Sequence, residues 1–180
     1  MRIRRLLPLM LALLCWTSAV QAASADFASS SPDTPLLAPP EGPVLLTVSG
    51  DISRTNGDGV ARFDRAMLEA LPGRTIETHT PWHEDVGRYR GPLGEAILEA
   101  VDAHGDQARV VALNGFEAEV PVSDFRRYGV ILAMKRNGKA MPIRRFGPLF
   151  VLYPFDERPE LLNETIRFRS VWQVSRIEIH

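Results

Sequence analysis

The chain has 180 residues, 45% of them hydrophobic and 24% charged, with a formal net charge of −1. That is enough for a single packed core, and the composition excludes collagen-like, coiled-coil and wholly disordered chains. The near-neutral charge argues against a dedicated nucleic-acid binder. The single cysteine, Cys15, excludes a disulfide scaffold.

Residues 1–22 read as an export signal. Arg2, Arg4 and Arg5 form a basic start, and Leu6 to Trp16 is an apolar run too short to span a bilayer. Val20-Gln21-Ala22 places small residues for cleavage after Ala22. Leu14 stands before Cys15 where a lipobox would want Gly, Ala or Ser. Cleavage leaves 158 residues, removes three arginines and no acid, and moves the net charge to −4. The mature chain then has no cysteine, hence no disulfide, thiolate ligand or cysteine nucleophile. The expected location is the periplasm, with no membrane span after cleavage. Arg4-Arg5 lies almost at the terminus and leads into a leucine-rich core, which favours the general export route for unfolded chains over the twin-arginine route.

Residues 23–43, rich in Ala, Ser and Pro, are expected to form a flexible leader, and residues 44–180 one domain. Charge is uneven: residues 23–104 carry a net −7 and residues 105–180 a net +3. Val44 to Gly50 predicts a strand. Asp51 to Gly59 predicts a loop, in which Asn56-Gly57-Asp58-Gly59 lacks the ordered carboxylates of a calcium site and reads as a turn. Phe63, Met67, Leu68 and Leu71 fit one face of a short helix, with Asp64 near its start and Pro72-Gly73 stopping it. Thr75 to Thr80 reads as a strand. Leu93, Ile97, Leu98 and Val101 predict a helix opened by Pro92 and closed at His104-Gly105.

Arg109 to Leu113 and Phe116 to Val120 flank Asn114-Gly115, which predicts a two-residue hairpin in a type I′ turn with positive φ twice. Val122 to Tyr128 predicts a short helix capped by Ser123. Val130 to Arg136 and Lys139 to Met141 flank a second such pair, Asn137-Gly138. Leu149 to Tyr153 and Val171 to Ile179 complete the strands. Few helices among many short strands predict a mixed α+β fold with no open parallel sheet.

Several pieces then fall in a telling order. Gly91-Pro92-Leu93-Gly94-Glu95-Ala96-Ile97-Leu98 is a Gly-x-x-Leu helix start, Val110 to Val120 a strand pair, and Pro121-Val122-Ser123-Asp124 a Pro-x-x-Asp helix start. Leu132-Ala133-Met134-Lys135-Arg136-Asn137-Gly138-Lys139-Ala140-Met141-Pro142 follows, then Gly147-Pro148-Leu149-Phe150-Val151-Leu152-Tyr153-Pro154, then Trp172-Gln173-Val174-Ser175-Arg176-Ile177. In this order the chain resembles the molybdopterin-binding domain of the sulfite oxidase family, and residues 44–90 fit the same domain more loosely. The resemblance implies a mixed β-sheet, barrel-like core with a few short helices. It implies an oxidoreductase, a molybdopterin cofactor, and one cysteine thiolate on the metal from the strand before the Gly-x-x-Leu helix.

The equivalent stretch here is Thr75 to Trp82, and the cysteine position falls near Thr78 to Thr80, where no thiol is present. A hydroxyl is a hard, high-pKa oxygen and a poor substitute for a thiolate. A chain exported unfolded could not carry a cofactor inserted in the cytoplasm. The expectation is the family's fold without its metal chemistry, with no catalytic residue and no bound metal. Molybdopterin is implied by the resemblance alone. The chain would act as a periplasmic accessory for a small anionic ligand or a periplasmic or membrane sensor protein. A molybdopterin-dependent oxidoreductase and a purely structural interaction module are the alternatives.

Candidate ligand contacts are Thr78, His79, Thr80 and Trp82, on a 78–90 loop at the mouth of the implied cleft. Arg144 and Arg145 lie in the half that would surround the cofactor phosphate, where guanidinium suits phosphate or carboxylate; Arg126-Arg127 and Lys135-Arg136 add cations there. Asn114, at a hairpin tip, also reads as a turn residue, and Trp82 as a core-edge aromatic. His79 and His83, beside Glu84 and Asp85, read as a polar loop and not a metal cluster, because Pro81 interrupts helical spacing. Ser49 and Ser53 lack a triad setting, and Asn163-Glu164-Thr165 matches a glycosylation sequon.

Overall fold

The computed structural model describes residues 37–180. The stretch expected to be an export signal, and the expected leader up to residue 36, lie outside the described residues. Strand β1 (Val44–Gly50) buries Leu46 and Val48 by strict alternation, and β2 (Ala61–Asp64) pairs antiparallel with it. Asp64 ends β2 and caps α1 (Arg65–Ala70), its Oδ1 accepting the Met67 amide at 2.9 Å. Its Oδ2 accepts the amides of Glu41 and Gly42 at 2.9 and 2.8 Å. These donors, the Met67 amide foremost, hold the Asp64 carboxyl below the usual carboxylate range.

Within the stretch expected to be a leader, these bonds tie Glu41 and Gly42 to the domain. Leu37 donates its amide to the Thr55 carbonyl at 3.0 Å and packs against the core. Strands β3 (Gly73–Thr80) and β4 (His83–Pro92) then form a long antiparallel hairpin. The loop expected over 78–90 is therefore mostly strand. Its apolar alternation is masked because the inward positions of β4 hold Gly87, Tyr89 and Gly91 between outward arginines.

After α2 (Gly94–Ala100), β5 (Gln107–Ala112) and β6 (Glu117–Pro121) form a second hairpin. Helix α3 (Val122–Tyr128) follows directly from Pro121 with no side-chain cap, so Ser123 is not the cap expected of it. Three short strands come next: β7 (Ile131–Ala133), β8 (Lys135–Arg136) and β9 (Lys139–Ala140). Asn137 and Gly138 have φ of 51° and 77°, as a type I′ turn requires. Strand β10 (Phe150–Leu152), helix α4 (Glu164–Arg169) and β11 (Val174–Ile179) complete the described chain.

The strands form three sheets, ordered β2-β1-β11-β5-β6, β3-β4-β8-β9 and β10-β7. In the first, β1 and β11 run parallel and the other pairs antiparallel. The fold is mixed α+β. The expected barrel-like core does not close, because the five-stranded sheet keeps β2 and β6 as separate edges. The core between the elements is aromatic as well as aliphatic: Phe63, Tyr89, Phe125, Phe150 and Tyr153 are fully buried, each contributing about 1.5–3 kcal/mol by removal from water. Gly91 lets β4 lie directly on β7, since a Cβ there would overlap the Leu132 carbonyl.

One buried polar brace joins the helical half. The Tyr153 hydroxyl donates to Asp124 Oδ2 at 2.8 Å, and Arg169 donates to the same oxygen at 3.0 Å. Burial, reinforced by the Asp124 charge, drives the Tyr153 phenol far above its ordinary pKa, so it stays a donor. Tyr153→Phe is expected to cost about 2 kcal/mol, and Asp124→Ala about 3–5 kcal/mol, because it strands Arg169. Urea denaturation measures both; wild-type midpoints in the two variants would mean the brace carries no stability.

Candidate functional site

The tip of the β3–β4 hairpin is Pro81-Trp82, and its indole is half-buried in a ring of aromatics. Trp82 meets Trp172 edge-on at 5.3 Å between centroids, Phe150 at 5.7 Å and Phe155 at 6.5 Å. Phe146 closes the ring, 5.3 Å from Trp172 and 5.8 Å from Phe150. It does so from a left-handed backbone, φ 67°, with its carbonyl accepting the Gln173 amide at 3.1 Å.

On the outer side of this cluster lies a cavity of about 410 Å³, within the range of small-molecule sites. Its apolar lining is Trp82, Trp172, Ala112, Val171, Phe116 and Phe168. Phe116 and Phe168 are 42% and 65% exposed, unusual for phenylalanine. The polar groups are Asn114 from the β5–β6 turn, Glu164 and Arg167 from α4, and Ser170, whose hydroxyl is spent on the Ile166 carbonyl at 2.8 Å. Asn114 does not adopt the positive φ of a type I′ turn; Gly115 alone does, at 84°. Its Oδ1 instead accepts the Phe116 amide at 3.0 Å, which sets Phe116 at the rim.

Of the residues singled out by sequence, the cavity brings together Trp82 and Asn114. Arg144 and Arg145 sit exposed on the 3-10 turn Ile143–Arg145, beside Gln173 but outside the lining. Alternation in β3 turns Thr78 and Thr80 inward and His79 outward. Thr78 donates to the His79 carbonyl at 2.9 Å and accepts the Asp156 amide at 3.0 Å. His79 meets Asp156 Oδ2 through its amide at 3.0 Å and its Nδ1 at 2.9 Å. Burial works to raise the Asp156 pKa, but these His79 bonds outweigh it and the net shift is downward.

The Thr80 hydroxyl lies 2.9 Å from His83 Nδ1, and the Tyr89 hydroxyl 3.3 Å from it. Arg136 completes this network, donating to the Tyr89 hydroxyl at 3.1 Å and to Asp85 at 2.6 Å. These residues do not fit a thiolate-held metal. The hydroxyls nearest the expected ligand position are committed to protein partners, and residues 37–180 contain no thiol.

Sequence reasoning missed Phe116, Phe168, Trp172, Glu164 and Arg167 as site residues. It also missed that Ser53 Oγ lies 2.7 Å from His104 Nε2. Asp102 approaches that same nitrogen, at 3.8 Å, so no carboxylate orients the opposite side of the ring as a triad requires. No family model matches the chain, and no curated protein matches it. Among the described residues, no helix is long and apolar enough to cross a membrane.

Burial first, and then the Arg136 charge, lower the His83 pKa below 6.5, against a smaller opposing pull from Asp85. The unfolded chain therefore takes up a proton before the folded one does. Stability should fall as pH drops from about 7 towards 5. His83→Gln should flatten that part of the curve. Parallel stability–pH profiles for wild type and variant, from urea melts at each pH, would remove His83 as the cause.

Proposed function

We propose that this chain is an exported, sulfite-oxidase-type domain without a working molybdenum centre, acting as a periplasmic accessory that binds a small ligand in the cavity beside Trp82. The observation that carries the reading is the juxtaposition of two features. Where the family would hold its metal, Thr78 and Thr80 are tied into the protein's own hydrogen bonds. A short distance along the same hairpin, Trp82 opens into an aromatic-walled cavity of ligand size with a few polar groups at its rim. The resemblance from Gly91 onward supports the fold named here, and the basic, apolar start of the chain supports export.

The apolar walls favour a ligand with a flat apolar body over the polar, phosphate-bearing cofactor of the family. Protein purified from its native compartment is expected to lack stoichiometric molybdenum and pterin fluorescence. A thermal-shift screen is expected to find small aromatic compounds that stabilise it, by about 2.7 kcal/mol at a hundred times Kd. Trp172→Ala should abolish that shift. Stoichiometric molybdenum with pterin would overturn the reading in favour of an oxidoreductase; a flat screen with no metal would favour a structural module.

A further inference from the structure

We infer that the cavity takes a free α-amino acid with an aromatic side chain, held as a zwitterion by Arg167 and Glu164. The inference rests on the cavity's being a ligand site, as proposed above, and adds the chemical class. Glu164 and Arg167 stand three residues apart on α4, which places them as neighbours on one helix face. Both are exposed at the cavity rim. Neither pairs with an opposite charge among the described residues, whereas the other cation of α4, Arg169, is bound to Asp124. The rim thus offers one unpaired negative and one unpaired positive group beside an aromatic slot.

Each simpler ligand class leaves something unmatched. A plain aromatic acid suits Arg167 but is repelled by Glu164. An aromatic amine suits Glu164 and is repelled by Arg167. A phosphate ester brings two charges to a single guanidinium with a carboxylate next to it. An ammonium and a carboxylate on one carbon satisfy both groups together, with the carboxylate in the guanidinium fork. Asn114 uses its Oδ1 on the Phe116 amide, and its Nδ2, without a partner among the described residues, is a further donor to that carboxylate. The side-chain ring then lies among Trp82, Trp172, Phe116 and Phe168, which line the same cavity. A peptide terminus carries one of the two charges and is the poorer match.

Isothermal titration of the purified protein with phenylalanine, tryptophan, phenylacetate, phenethylamine and alanine tests this. Phenylalanine or tryptophan is expected to bind about tenfold or more tighter than phenylacetate or phenethylamine, a difference of about 1.4 kcal/mol, and alanine to give no heat. Arg167→Gln and Glu164→Gln, both at exposed positions that tolerate exchange, should each weaken the amino acid about two- to fivefold, the loss of one exposed, solvent-screened charge contact. Glu164→Gln should at the same time strengthen phenylacetate. Phenylacetate or phenethylamine matching phenylalanine in the wild type would overturn the amino-acid assignment while leaving the cavity a ligand site. Alanine matching phenylalanine would overturn it too, by removing the role of the ring. Silence from every compound would overturn the cavity as a site for aromatic ligands at all.

Discussion

The packing of Trp82 is the constraint on which the rest of the site depends. A long hairpin ending in a two-residue tip can splay unless its end is held. Here the tip carries the largest side chain available and seats it against Phe150 of β10, Phe155 beyond it, and Trp172 just before β11. Each such aromatic pair adds about 0.5–1.5 kcal/mol beyond simple burial. Together they fix the four-stranded sheet against the β10–β7 pair and the approach to β11. Phe146 adopts a left-handed backbone to reach this cluster, a conformation costing about 1–3 kcal/mol. Its contacts with Trp172 and Phe150, and the Gln173 amide on its carbonyl, offset that cost.

The cluster separates two chemically different surroundings. On one side His83 faces Phe146 at 4.8 Å and draws on the hydroxyls of Thr80 and Tyr89, with Arg136 and Asp85 completing a closed polar network. Elsewhere along the cluster the cavity lining is mostly apolar, and Glu164 and Arg167 have no opposite charge against them among the described residues. The first arrangement is satisfied by the fold itself, and the second is the basis for the ligand site proposed in front of Trp82.

How far the sequence revealed this follows from the range of each signal. Apolar alternation in β1 and the Asn137-Gly138 turn are local, and each was legible; the helix near Asp64 was legible too, but Phe63, expected on its face, belongs to β2, and Asp64 is the cap between the two. Asn114-Gly115 was legible as a turn, but its type was not, because the Asn114 side chain takes the Phe116 amide and holds its own φ negative. The β4 strand was hidden because glycines occupy two of its inward positions. Helix α4 was hidden because Ile166 is its one buried residue, leaving no periodicity to read. Its start was on the page as Asn163-Glu164-Thr165, but the pattern read as a sequon. Asn163 in fact caps the helix, its Oδ1 accepting the Ile166 amide at 3.0 Å. The cavity joins a hairpin tip, a second turn, a helix and the segment before the last strand. No local spacing encodes that meeting, so Trp82 and Asn114 were nameable in advance while Phe116, Phe168 and Arg167 were not.

The division of labour at the cavity follows from where its groups sit. Glu164 and Arg167 are exposed, so water and salt screen them, and each can discriminate between ligands by only a modest factor. Affinity must then come from the rings, at about 25 cal/mol for each Å² of apolar surface removed from water. Trp82 and Trp172 are held by the cluster behind them whether or not a ligand is present, so little ordering cost falls on that wall. Phe116 and Phe168 are more exposed and bear more of it. In the proposed site the two tryptophans would therefore set the position of a bound ring, the two phenylalanines how tightly it is covered, and the two charges which ring-bearing molecule is preferred.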